Sequence, residues 1–451
     1  MRRIWNELLA SLWFVPSLIV LGAIVLAVGL VELDARLDNG TFAEWPRLFG
    51  AGAEGSRGML SAIASSMITV AGVVFSITIV ALSLASNQYS PRVLRNFMSD
   101  RTNQTVLGVF VGIFAYCLVV LRTIRGGDEG VFIPSLAVLT GVVLALVGIA
   151  FLIFFIHHIA ASIQASHILA NVAAETLRSI ENMFPEPLGE GEASTEGESP
   201  EESLESFIDS SRWRNVLALK TGYIQHVDAD RLLRTARERR VVIRILHGIG
   251  AFAIEGTPLV AVVAVESEPE RDLAKELAPP IQETFTVNRQ RTVDQDPAFG
   301  IRQIVDVALK ALSPGVNDTT TALMCVDYLT AILVRLSTKR MPSPYRFEEG
   351  RLRVIAEGPT FASLVAEAID DVRQNATGNA AVLDALLRCL KIVGEQARDA
   401  ARRKVITDQV VYVAELAEKS VTASRERDLL GKQAQRIIDS QLHASSNAPN
   451  S

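Results

Sequence analysis

MLSAIASSMITVAGVVFSITIVALSLA, Met59–Ala85, decides the fold class: it holds no Asp, Glu, Lys or Arg from end to end. A helix needs about 20 apolar residues to cross the hydrocarbon core of a bilayer, and this stretch is long enough to tilt or to extend past the headgroups. Three further apolar stretches flank it, at about Leu12–Val31, Thr105–Leu121 and Val131–Ile156. Any one of them alone reads equally as a buried helix of a soluble protein, but four in succession read as a membrane domain. The first is too long for a signal peptide and lacks a small-x-small cleavage site before a soluble chain. Trp5, Leu8, Leu9, Leu12 and Trp13 precede it at helical spacing, as in a segment lying at headgroup depth.

After about His158 charged residues recur every few positions, so the rest of the 451-residue chain is written for water. The expected architecture is a four-span α-helical membrane domain (1–160), a connecting helix (161–185) and a disordered acidic insertion (186–206). A cytosolic α+β domain with a C-terminal helical part (207–440) and a disordered tail (441–451) complete it. The insertion carries eight glutamates between Glu186 and Glu205 and no Lys or Arg, which leaves too little apolar surface to order it. The net charge of −6 and the lack of a long basic face exclude nucleic acid as a partner. Cys117, Cys325 and Cys389 stand far apart, with no CxxC pair and no zinc spacing, so neither a metal nor a cofactor is expected.

Four spans put both termini on one side. Counting arginines ties: Arg2, Arg3, Arg92, Arg95 and Arg101 against Arg36, Arg47, Arg57, Arg122 and Arg125. Crowding of three arginines in the short second connection, and isolated cysteines in a domain without an export signal, place both termini in the cytosol of a bacterial inner membrane.

Three phrases carry a resemblance: VVFSITIVALSLASNQYSPRVLRNFMSDR (Val73–Arg101), IHHIAASIQ (Ile156–Gln164) and QDPAFGIRQIVDVALKALSPGVNDTTTA (Gln295–Ala322). In this order they resemble the bacterial predicted-membrane-protein family known as domain of unknown function 2254. The resemblance implies a membrane protein and brings no activity, cofactor or catalytic residue.

Within the second span Ser65, Thr69, Gly72, Ser76 and Ser83 recur at steps of three, four or seven, with Asn87 extending the same helical face. Such a stripe packs helices closely, its commoner use, or faces a water-filled path. The absence of charge within the spans disfavours a coupled transporter. A homo-oligomeric, passive channel-like pore governed by the cytosolic domain is therefore the leading expectation. A non-conducting sensor or scaffold is the alternative, and a membrane-bound enzyme comes third because no nucleophile, metal site or acid–base pair is recognisable.

His157, Gln164 and His167 form a candidate collar on a helix continuing from the fourth span. They read as a pH-sensitive or ligand-binding ring or, more plainly, as a solvated linker. Arg231, Arg234, Arg237, Arg239 and Arg240 read as a solvated basic helix face or a contact for anionic lipid. In the soluble part Asp296, Arg302, Asp306, Asn317 and Asp318 gather charge and capping capacity around one helix–turn–helix. The plain reading is a capped hairpin with a salt-bridge ladder. The functional one is a control point where Arg302, held by Asp306, and free backbone N–H groups after Asn317 receive a small anion.

Overall fold

The structure is a computed structural model that describes residues 13–36, 52–88, 101–125, 132–162, 164–183, 213–265, 272–348 and 350–446. The acidic insertion (186–206), the segment ahead of Leu12 and the arginine-bearing stretch Arg92–Arg95 lie outside these residues. So does the side chain of Asn87. The chain divides into two compact units, Met1–Ile168 and Leu169–Ser451.

The first unit contains α1 (Phe14–Arg36), α2 (Ala53–Gln88), α3 (Arg101–Thr123) and α4 (Ser135–Ser162). Close approach sets its packing. Gly108 and Gly112, one helical turn apart on α3, face α1: a Cβ on Gly108 would lie 2.8 Å from Ile19 Cδ1 and 2.9 Å from Pro16 Cα. That is the small-xxx-small seam by which membrane helices gain van der Waals contact without a hydrophobic drive. Gly141 and Gly148 of α4 repeat the device, against Leu60 and Met67 of α2. Around α3 the buried core collects Leu60, Ala64, Met67, Phe110, Tyr116 and Phe155.

One end of the bundle is tied by hydrogen bonds. The Asp34 carboxylate at the end of α1 accepts the N–H groups of Leu136 (3.2 Å) and Ala137 (3.0 Å). These are donors that the first turn of α4 cannot satisfy internally. The buried Tyr116 hydroxyl donates to Ala137 O at 2.7 Å, and Arg57 Nη2 donates to Ile124 O at 2.7 Å.

The second unit contains the C-terminal part of α5 (Ala165–Met183) and two sheets. The strands are β1 (Arg214–Leu217), β2 (Gly222–Val227), β3 (Val241–Ile245), β4 (Phe252–Ala253), β5 (Pro258–Ala264), β6 (Phe285–Asn288), β7 (Tyr345–Glu348) and β8 (Arg351–Ala356). One sheet runs β1-β5-β3-β8-β7, with β3 and β8 parallel and its other pairs antiparallel; the other is antiparallel β4-β2-β6. Helices α6 (Ala229–Glu238) and α7 (Leu273–Gln282) pack on the larger sheet through Leu232, Ala236, Leu277 and Ile281.

Six helices complete the unit: α8 (Pro297–Leu312), α9 (Thr319–Thr338), α10 (Phe361–Asn375), α11 (Ala380–Glu395), α12 (Ala400–Ser420) and α13 (Ser424–Ser446). The fold is thus mostly helical, with strand-containing sheets and a helical C-terminal part. Five described helices are long and apolar enough to cross a membrane: α1 to α4, and α9.

Two expectations change. The connecting helix is interrupted, since α4 ends at Ser162 and α5 begins at Ala165. The tail expected to be disordered from 441 is helical through Ser446, with Gln441 buried beside Gly394. Helix α8 starts at Pro297, a residue whose fixed φ and missing N–H suit a first turn, after the N-cap Asp296.

Candidate functional site

The hydroxyl stripe takes a definite direction in the structure. The face of α2 that enters the bundle is Leu60, Ala64, Met67, Ala71, Val74 and Ala81. At 100° per residue, Ser65, Thr69, Gly72, Ser76 and Ser83 fall nearly opposite it, and all five are exposed. The stripe therefore lies on the outside of the single-chain bundle. Its hydroxyls are not idle: Thr69 Oγ1 donates to Ser65 O at 2.8 Å and Ser76 Oγ to Gly72 O at 2.9 Å. Large apolar residues are exposed on α2 as well, Ile68, Val73, Phe75 and Val80 among them, as they are on α1 and α4 at Leu21, Val25, Val28, Leu146, Ile153 and Phe154; what sets α2 apart is the row of hydroxyls between them. Beside the stripe, between α2 and α4, runs an apolar groove of about 360 Å3. Its walls are Ala62, Ser66, Val70, Ala145 and Gly148, and Phe110 forms its floor.

The three collar residues do not share one helix in the single chain. His157 is exposed on α4, Gln164 stands in the break and His167 is exposed on α5, so no continuous helical face joins them. Among the described residues no three His, Cys, Asp or Glu side chains are grouped to hold a metal. Cys117, Cys325 and Cys389 are buried and free. The basic helix face is α6, and three of its arginines are ion-paired: Arg231 to Glu283, Arg237 to Glu348 and Arg239 to Glu276.

The five residues expected around one turn are separated. Asp296 caps the start of α8, and Asn317 and Asp318 follow its end, so its 16 residues hold them roughly 24 Å apart. Asp318, rather than Asn317, caps α9, accepting Thr321 N–H at 3.0 Å and Thr321 Oγ1–H at 2.6 Å. Those two bonds hold the Asp318 carboxyl below its ordinary range. Asn317 instead takes the left-handed conformation, φ +48°, that the turn demands.

Arg302 meets three carboxylates: Asp306 at 2.9 Å on its own helix, and Asp371 at 2.5 Å and Glu367 at 3.5 Å on α10. Burial pulls its guanidinium pKa down, but the ion pairs outweigh burial and leave it above the usual value. A cation so surrounded ties α8 to α10; the local charge balance is negative and repels an anion.

The QDPAFGIRQ phrase builds a hub around the start of α8. Gln295 Oε1 accepts Val227 N–H at 3.1 Å, anchoring β2. Asp296 accepts Phe299 N–H at 3.0 Å and Arg291 Nε–H at 2.8 Å, and Arg291 stacks 5.0 Å from the Phe299 ring centre. Gly250, at φ +82°, passes so close that a Cβ there would sit 2.4 Å from Asp296 Oδ2. A Cβ on Gly300 would lie 2.0 Å from Thr176 Oγ1 of α5. Farther along α5, Ser179 Oγ donates to Asp294 O, and Glu181 pairs with Arg335 and Lys339. Hydrogen bonds from Arg335 and then Lys339 hold the Glu181 carboxyl down to about 2. Thr176, Gly250 and Arg291 carried no signal in the sequence, because each acts through residues distant in the chain.

A family model described as predicted membrane protein (DUF2254) matches residues 10–392, and the three phrases lie inside that range. The chain belongs to this family. Similar sequences include an uncharacterized protein of Mycobacterium tuberculosis, strain H37Rv, and one of Mycobacterium bovis. Each is 32% identical over 440 residues, covering 95% of this chain and 80% of the relative. No solved structure matches the chain.

Proposed function

We propose that this DUF2254 protein is a homo-oligomeric, passive, channel-like pore of the bacterial inner membrane, in which the outer face of α2 turns toward an assembly axis. One observation carries the reading: the outward side of α2 sets Ser65, Thr69, Gly72, Ser76 and Ser83 among exposed apolar residues such as Val73 and Val80, whereas the exposed residues of α4 through the same apolar stretch, Leu146, Ile149 and Ile153 among them, include no hydroxyl. Side chains that meet lipid tails gain nothing from being small or polar, whereas helix–helix contacts and aqueous linings use both properties.

Four helices span in this reading, α1 to α4. The fifth apolar helix, α9, stays out of the bilayer. Val326, Leu329, Ile332 and Leu333 are covered by protein, and α9 packs on α8 and α11. Asp327 would stand near the middle of such a span, where an acidic residue costs about 3 kcal/mol. Both termini and the second unit are then cytosolic. A cysteine placed at Ser199 stays unlabelled from outside intact cells; its labelling overturns the orientation.

The alternative is a non-conducting scaffold zipped through the same face. The back-bonding of Thr69 and Ser76 favours it, because satisfied hydroxyls need no water. Purified protein in liposomes, with its oligomeric state measured alongside ion flux, separates the two. The pore reading expects a discrete oligomer and a leak that falls at least tenfold in Thr69→Leu. A tight liposome holding an intact oligomer leaves the scaffold, and a monomer sinks both.

A further inference from the structure

We infer that the groove between α2 and α4 is a binding slot for one acyl chain of a membrane lipid. It lies within the first unit, between two helices whose neighbouring outward residues, Val73, Ile149 and Ile153, are exposed aliphatics. Small residues open it: Ala62 and Ser66 on α2, Ala145 and Gly148 on α4. A Cβ on Gly148 would press on Met67 Sδ at 3.1 Å and Ile113 Cδ1 at 3.2 Å. Phe110 closes the floor, and Ser66 is the single hydroxyl in the lining, so nothing recognises a charged headgroup.

Size selects the occupant. Ala62 to Val70 spans about 13 Å of helix. Spread over that length, the full empty space of about 720 Å3, open mouth included, gives a mean section of at most roughly 60 Å2. A helix about 10 Å across needs a section of roughly 80 Å2. A methylene chain, with carbon neighbours at about 4 Å, needs ~20 Å2. A helix from a second copy could therefore lie across the lips but not enter. An extended hydrocarbon chain enters, and it contacts apolar atoms on three sides where an annular chain touches one. The slot opens beside the hydroxyl face of α2, but the inference does not depend on what that face does.

The test uses the full chain in lipid nanodiscs doped with a phospholipid that carries a photoactivatable group midway along one acyl chain. After irradiation, cross-links are mapped by peptide. The slot predicts labelling of 62–70 and 145–152 at least fivefold above the equally apolar outer face of α1 at Leu21–Val28. Ala145→Phe and Ser66→Leu fill the groove from its lips and bring the excess down to the α1 level. Ser66 is exposed and Ala145 half-buried, and circular dichroism checks that each variant is folded. Even labelling around the bundle overturns the proposal. So does disulfide cross-linking between copies at Ile149→Cys with no lipid excess, which gives the groove to a neighbouring chain. Loss of ion flux, by contrast, bears on the pore reading alone and leaves this result standing.

Discussion

Gly300→Ala sets two known effects of opposite sign against each other. In an open helix the change would stabilise by about 1 kcal/mol, since Gly is the poorer helix former. Here the new methyl carbon would lie 2.0 Å from Thr176 Oγ1, and 2.9 Å from both Thr176 Cβ and Cγ2. Thr176 is fully buried, and its hydroxyl already donates to Val172 O at 2.7 Å, so it cannot swing aside without losing that bond. Overpacking of this kind costs about 1–3 kcal/mol, and the contact is closer than most. The net expectation is a loss of about 1–2 kcal/mol. Thr176→Ala removes Oγ1 and Cγ2 and leaves only the 2.9 Å contact, so it relieves most of the clash. The double variant should be more stable than additivity predicts by at least about 1 kcal/mol, as for residues in direct contact. Amide exchange of α5 and α8 in the full chain reads this locally, where a single melting temperature would blend two units. Additive single and double variants, or a stabilised Gly300→Ala, would refute the close approach of α5 to α8 on which the hub account rests.

Asp318→Ala should cost about 1 kcal/mol through the lost cap of α9, whereas Asn317→Gly, which suits the left-handed φ, should be neutral or stabilising; denaturation midpoints decide, and the reverse order would return the cap to Asn317. Arg302→Gln removes one cation from three carboxylates and should destabilise the α8–α10 contact by about 1–2 kcal/mol, visible as faster amide exchange in α10; unchanged exchange would make the ion pairs ornamental. Glu181 has a folded-state pKa of about 2 against an ordinary 4.5, so its contribution is present above pH 4.5 and lost as pH falls toward 2. Glu181→Gln should therefore lower α5 protection at neutral pH and match the parent at pH 2, and a difference that grows on acidification would contradict the pairing. Burial pushes the Cys389 thiol up to about 11, so at pH 8 it should resist maleimide until the unit unfolds; rapid native labelling would show that α11 opens.

Charge-free runs made α1 to α4 legible, because a bilayer imposes length and apolarity on every span. Helix α7 was not: Pro279 and Pro280 fall inside its ten residues and read as a break. The α2 stripe showed its spacing but not its direction. Periodicity says which residues share a face, and both faces of an uncharged helix satisfy a bilayer, so only packing against Gly141 and Gly148 chose the side. Spacing alone also does not reveal that Thr69 and Ser76 are satisfied by carbonyls four residues back. Helical spacing offers Arg302 only Asp306 on its own helix, whereas Glu367 and Asp371 arrive from a helix more than 60 residues away. The hub was hidden for the same reason, since Gly250, Arg291 and Thr176 meet Asp296, Phe299 and Gly300 only after folding.

The central claim is that the outer face of α2 meets neither lipid nor a tight seam in the assembled protein. Cysteines at Thr69 and Ser76, one at a time in liposomes, should be compared with cysteines at Leu21 and Ile153 for reaction with a small hydrophilic thiol reagent. The account predicts at least tenfold faster reaction at Thr69 and Ser76. Equal inertness at all four positions, in a protein that is still oligomeric, would contradict it and leave the stripe as a packed seam.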